Sequence, residues 1–168
     1  MAPECDFCNG PGGAILWQND LCRVVRVDDP DYPAFCRVIL GRHVREMTEL
    51  PEAERAELMA VVFAVEEVMR ATMRPDKMNL ASLGNMTPHV HWHVIARYRD
   101  DRHFPGPVWA APQRDPAVPA ERRARAEALG AALRARLGLP PSAPVGGLPP
   151  SAPVGGLPPS APVGGAAP

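Results

Sequence analysis

The chain has 168 residues, a net charge of −1, and 46% hydrophobic and 22% charged residues. That length suffices for one domain with a sizeable core, and the near-neutral balance lacks the global basic footprint of most nucleic-acid binders. The longest purely apolar run, Leu58 to Val65, is far below the roughly 20 residues a membrane span needs, so neither nucleic acid nor membrane is an expected partner.

The first ten residues, "MAPECDFCNG", have no basic region followed by an apolar stretch, so no secretory signal is expected and a cytoplasmic location follows by default. In that setting the four cysteines read as thiols or metal ligands rather than disulfides. Cys5-x-x-Cys8 can clamp a metal between two thiolates but needs two further ligands. His43, the histidines near residue 90, Cys22 and Cys36 are the available donors. For Cys22 and Cys36 the simpler reading is strand residues packing as small hydrophobes.

Short β-type runs follow: "AILW" (14–17), "LCRVVRV" (21–27) and "FCRVIL" (35–40), with the turn chemistry of "DDPDYP" between the last two. From Pro51 to Arg74 the period changes. Leu58, Val61, Val62, Val65, Val68, Met69 and Met73 recur at three and four, the stripe of an amphipathic helix. Pro51 suits its first turn, Glu52 and Glu54 favour its N-terminal dipole, and Pro75 stops it. "KMNLASL" (77–83) predicts another strand, followed by the turn "GNMTP".

Next comes "HVHWHVIARYRD" (89–100), which holds three of the five histidines at a spacing of two. A strand gathers His89, His91 and His93 on one face and turns Val90, Trp92 and Val94 toward a core; a helix would scatter the rings. Such a row is chance alternation, a metal site, or acid–base and nucleophilic chemistry on an anionic group. Three imidazoles on one face are costly to bury without a role.

After Tyr98 a proline-rich segment reads as an irregular arm, in which His103 is expected as a solvent-exposed loop residue. "AERRARAEALGAALRARLG" (120–138) predicts a helix with Leu129, Leu133 and Leu137 on one side and Gly138 as cap. Its arginines read as a solvated face rather than a nucleic-acid patch. "LPPSAPVGG" then occurs three times, at 139–147, 148–156 and 157–165. Its Pro/Gly/Ser composition buries too little apolar surface to offset the entropy of ordering it, so 139–168 is expected as a disordered tail.

"HVHWHVI" resembles the His-x-His-x-His-x-x motif, x being apolar, of the histidine-triad (HIT) family of nucleotide hydrolases and transferases. The order of the other features is similar too: a Cys-x-x-Cys start, "FCRVILGRH" ahead of a helix, and "MNLASLGN" before the histidines. The galactose-1-phosphate uridylyltransferase branch has glutamine in the third place, which His93 argues against. The resemblance covers roughly residues 1–110 as one domain, leaving 111–138 as arm and C-terminal helix.

The resemblance implies an α+β fold, a five-stranded antiparallel sheet with a long helix packed on it, usually as a homodimer. It implies that His91 attacks the α-phosphorus of a nucleoside phosphoester, anhydride such as a dinucleoside polyphosphate, or phosphoramidate. A nucleotidyl-histidine forms and water hydrolyses it, with no catalytic metal. His93 would stabilise phosphate oxygens. Bacterial members with the Cys-x-x-Cys start hold a zinc through residues placed like Cys5, Cys8, His43 and His89, a closed and therefore structural site. The loop before the histidines is shorter than in better-known members, leaving Asn85 and Thr87 as its polar groups. Asn79 and Asp28 are candidates for ribose or base contacts, set against a strand hydrogen bond and a turn cap. The short loop also motivates an alternative: a nucleotide-binding sensor or scaffold with vestigial turnover.

Overall fold

The computed structural model describes residues 5–115 and 118–138; the repeat tail lies outside them. The strands are β1 (Ala14–Gln18), β2 (Cys22–Arg26), β3 (Cys36–Leu40), β4 (Lys77–Ala81) and β5 (His91–Arg97), in one sheet of order β1-β2-β3-β5-β4. Every neighbouring pair is antiparallel. The helices are α1 (Asp6–Asn9), α2 (Glu52–Met73) and α3 (Ala120–Leu137). The expected α+β architecture is therefore the observed one, with the long helix within one residue of its predicted ends.

Period-two alternation decides which face each strand residue takes. Cys22 and Val24, Cys36, Val38 and Leu40, and Val94 and Ala96 bury one face against Leu58, Val62, Val65 and Met69 of α2. The predicted stripe of α2 is thus its core side. Cys22 and Cys36 are core residues, as the simpler reading had them, and burial pushes both thiols up to about 12. Ala126, Leu129 and Leu133 of α3 complete the same core. The arginines of α3 are engaged: Arg122 with Asp100, Arg125 with Glu121 and Arg136 with Glu67.

The opposite face carries the polar residues of the same strands. Register places Arg37 beside His93 and Ile39 beside His91, while Arg23 lies across from Ile39. At the far end of β5, Arg97 is 2% exposed and pairs with Asp101 in two hydrogen bonds, 2.7 and 3.0 Å. Asp101 also accepts from the Tyr32 hydroxyl and from the N–H groups of Tyr98, His103 and Phe104. Burial alone would raise its carboxyl, but Arg97 and these N–H groups outweigh that and hold it at about 2. Removing one partner of a buried pair leaves an uncompensated charge, so Asp101→Ala is expected to cost about 3 kcal/mol of unfolding free energy in denaturant titration. A loss below about 1 kcal/mol, the level of an exposed ion pair, would show that the hub does not hold the arm.

Candidate active and metal site

Two sets of histidine chemistry sit side by side on the polar face. The strand begins at His91, so His89 precedes it and the three histidines are not one uninterrupted row. Leu40 N–H donates to the Val90 carbonyl and Val90 N–H donates to Val44, which lays the 41–44 loop along residues 88–90. This brings His43 to His89, ring centroids 5.4 Å apart. At the N-terminus, Cys8 and Asn9 N–H groups bond the Cys5 carbonyl, closing a helical turn that the sequence reading did not anticipate. Residues three apart on such a turn share a side, so Cys5 and Cys8 both face the two histidines.

The four converge. Cys5 Sγ lies 3.4 Å and Cys8 Sγ 3.6 Å from His89 Nδ1, and Cys8 Sγ lies 3.4 Å from His43 Nδ1. All four ligand atoms fall within 4.8 Å of one another, which makes the group able to hold a metal ion. Tetrahedral zinc, with bonds of about 2.3 Å to sulfur and about 2.0 Å to nitrogen, would separate S and N ligands by about 3.5 Å. His89 Nε2 is 2.9 Å from the Leu40 carbonyl; a proton there leaves the Nδ1 lone pair facing the cysteines. Burial and the adjacent Cys5 push the Cys8 thiol up to about 11, the state a divalent cation between two sulfurs reverses. The donor set therefore fits zinc.

His91 and His93 face away from that cluster into an open cleft, their ring centroids 4.9 Å apart. His91 is buried, with the Phe7 ring edge-on at 4.8 Å. Its Nδ1 is 2.6 Å from the His89 carbonyl, an acceptor only, so Nδ1 carries the proton and Nε2 the lone pair. Burial lowers the pKa of His91. His93 is pushed down to about 4 by burial, then by His91 and Arg37. Both imidazoles are thereby neutral near pH 7: one presents a lone pair, the other a single N–H.

Asn85 and Thr87 line this cleft. Thr87 Oγ1 donates to Asp6 at 3.3 Å. Asn79 lies on the same face of β4, but its Oδ1 accepts from Arg97 at 2.7 Å, the strand hydrogen bond weighed against it. Asp28 is exposed and does not line the cleft; its neighbour Asp29 caps the turn, accepting from Asp31 and Tyr32 N–H. His103 corrects the expectation. It is buried, its ring stacked on Tyr32 and its Nδ1 2.7 Å from the Tyr32 hydroxyl. The arm folds back because Asp101 recruits Arg97, Tyr32 and its own following N–H groups, and this closes the end of the sheet face beyond His93. Arg37 and Phe7 line the cleft and were missed. The alternation of "FCRVIL" could have found Arg37, since Cys36, Val38 and Leu40 take the core face.

An antiparallel sheet that presents two histidines to a cleft, with a third turned into an adjoining Cys/His cluster, defines a histidine-triad protein. The HIT domain model matches residues 12–100, and the chain belongs to that family. A histidine triad protein of Marinobacter aquaeolei is 32% identical, with TM-score 0.60 over 76% of this chain and 90% of that one. One from Bradyrhizobium japonicum is 28% identical, with TM-score 0.62 over 75% of this chain and 91% of that one. A curated relative named AP-4-A phosphorylase, from Mycobacterium tuberculosis, is 31% identical over 98 residues, 55% of this chain. The chain spans about half the length of that relative.

Proposed function

We propose that this protein is a nucleotide hydrolase or nucleotidyltransferase that acts at an α-phosphate through a nucleotidyl-His91 intermediate. The observation that carries the reading is the proton assignment on His91: Nδ1–H is held by the His89 carbonyl, so Nε2 offers its lone pair to the cleft. In the first step a P–Nε2 bond forms and the bond from phosphorus to the leaving group breaks, with the electron pair departing on the leaving group. In the second, water attacks phosphorus, Nε2 leaves, and the water's proton is released. His93 donates one N–H to a non-bridging oxygen in both steps. Candidate substrates are phosphoesters, anhydrides and phosphoramidates of nucleosides; similarity to a protein named AP-4-A phosphorylase supports anhydrides among them.

Cys5, Cys8, His43 and His89 would hold a structural zinc. When bound, the ion supplies a crosslink between the N-terminal turn and the start of β5 rather than a reacting group. A homodimer is also part of the proposal, supported by β4, which has a strand partner on only one side among the described residues.

The test is intact mass of wild type and His91→Ala after brief mixing with adenosine and guanosine conjugates, quenched cold at alkaline pH because a phosphoramidate is acid-labile. A nucleotide-sized gain on wild type alone is expected. Neither adduct nor product from any conjugate, with nucleotide still bound, would replace this reading by that of a nucleotide-binding scaffold.

A further inference from the structure

Three arginines project from the sheet onto the histidine face, and their partners differ. Arg23 donates to the carbonyls of Phe7, Gly10 and Pro11, which fastens the N-terminal segment. Arg97 is spent on Asp101, Asn79 and the Gly106 carbonyl. Arg37, the one beside His93, makes a single hydrogen bond among the described residues, 3.3 Å from Nη1 to the Gly12 carbonyl. Its Nε is buried and finds no acceptor among the described residues. Among the described residues no carboxylate forms an ion pair with it. Its guanidinium sits between the rings of Phe7 and Phe35, 5.7 and 5.5 Å from their centroids.

A half-buried guanidinium with one hydrogen bond is under-compensated, and ring contacts offset only part of that cost. It lines the same cleft as His91 and His93. Among the residues described there it is the sole Lys or Arg. The loop across the cleft offers few side-chain donors, only Asn85 and Thr87.

We infer that Arg37 is the phosphate-binding cation of this cleft, taking the anionic oxygens of the phosphoryl group that His91 faces. The inference rests on the nucleotide reading for its substrate, but the anion site itself does not need it. Arg37 is a planar fork suited to two phosphate oxygens at once. The cleft then selects phosphate-bearing nucleotides over nucleosides by charge, where a longer loop would do so with hydroxyl and amide groups.

The experiment is calorimetry of wild type, Arg37→Met and Arg37→Lys with AMP, GMP, their nucleosides and pyrophosphate. Methionine keeps the slot between the two rings filled, and an unchanged thermal midpoint would confirm that the variant folds. Arg37→Met is expected to lose about 10- to 100-fold in affinity for both mononucleotides and for pyrophosphate, the loss of a charge-assisted contact. Nucleoside binding should change by less than about twofold, and Arg37→Lys should recover part of the loss because it restores charge without the fork. If Arg37→Met binds AMP and pyrophosphate like wild type, Arg37 is not the phosphate-binding residue although the nucleotide reading stands. If wild type binds pyrophosphate through Arg37 but no nucleotide, the anion site stands and the nucleotide reading fails. If wild type binds none of these probes, both are overturned.

Discussion

His91→Ala is expected to lower kcat on the conjugate that labels wild type by roughly four orders of magnitude or more, the scale seen when a covalent nucleophile is deleted. The size follows from His91's position. Its Nε2 is the lone pair the fold directs into the cleft, and His93 cannot substitute for it. His93 has a different register partner on β3: it faces Arg37, whereas His91 faces Ile39. Its Nδ1 is buried and finds no partner among the described residues, so it lacks the carbonyl that sets the tautomer of His91. Nucleotide affinity should fall by less than about tenfold, because the phosphate contacts assigned to His93 and Arg37 remain. Steady-state kinetics beside calorimetry checks both halves. A residual kcat within about tenfold of wild type would remove His91 as nucleophile.

Loss of the proposed zinc is expected to be the second large effect. Cys8→Ser, or treatment with a strong chelator, is expected to lower unfolding free energy by about 5 kcal/mol. For a domain of this size that is a fall of more than about 10 °C in thermal midpoint. The ligands come from three separate segments, the N-terminal turn, the loop after β3 and the approach to β5. Without the ion, two sulfurs and two imidazoles face one another with weak mutual bonds. The effect should also reach catalysis. The carbonyl that orients His91 belongs to His89, so kcat should fall about 10- to 100-fold, as for other losses of support to a reacting group, with KM nearly unchanged. Metal content by elemental analysis, thermal unfolding and kinetics on the same preparation read all three. A wild-type protein free of metal, with a midpoint indifferent to chelator, would count against the zinc.

Much of this was legible before any tertiary contact was known. Period-two alternation in 21–27 and 35–40, and the three-and-four stripe from Leu58 to Met73, are local signals; β2, β3 and α2 occur where those signals lie. Pairing of His91 with His93 on one face follows from the strand period alone, and Cys5-x-x-Cys8 is a visible spacing. The resemblance to the histidine-triad family added the expectation that His43 and His89 join the cysteines, and the four do converge.

What the sequence did not disclose were contacts set by register and by loop closure. His103 looked like an exposed arm residue because its neighbours are prolines and charges. It is buried because Asp101 gathers Arg97, Tyr32 and three backbone N–H groups around one carboxylate. Asn79 gave no sign in the sequence that its carbonyl oxygen accepts from Arg97, eighteen residues away. Arg37 was simply one charge in an apolar strand; antiparallel register with β5 sets it against His93. Composition and period therefore determined which elements form and which face of each is apolar, because those depend on neighbours within one or two turns. Only the tertiary structure decided which polar side chains meet on the other face, because that depends on strand register and loop closure, which join residues as far apart as Cys5 and His89, 84 positions.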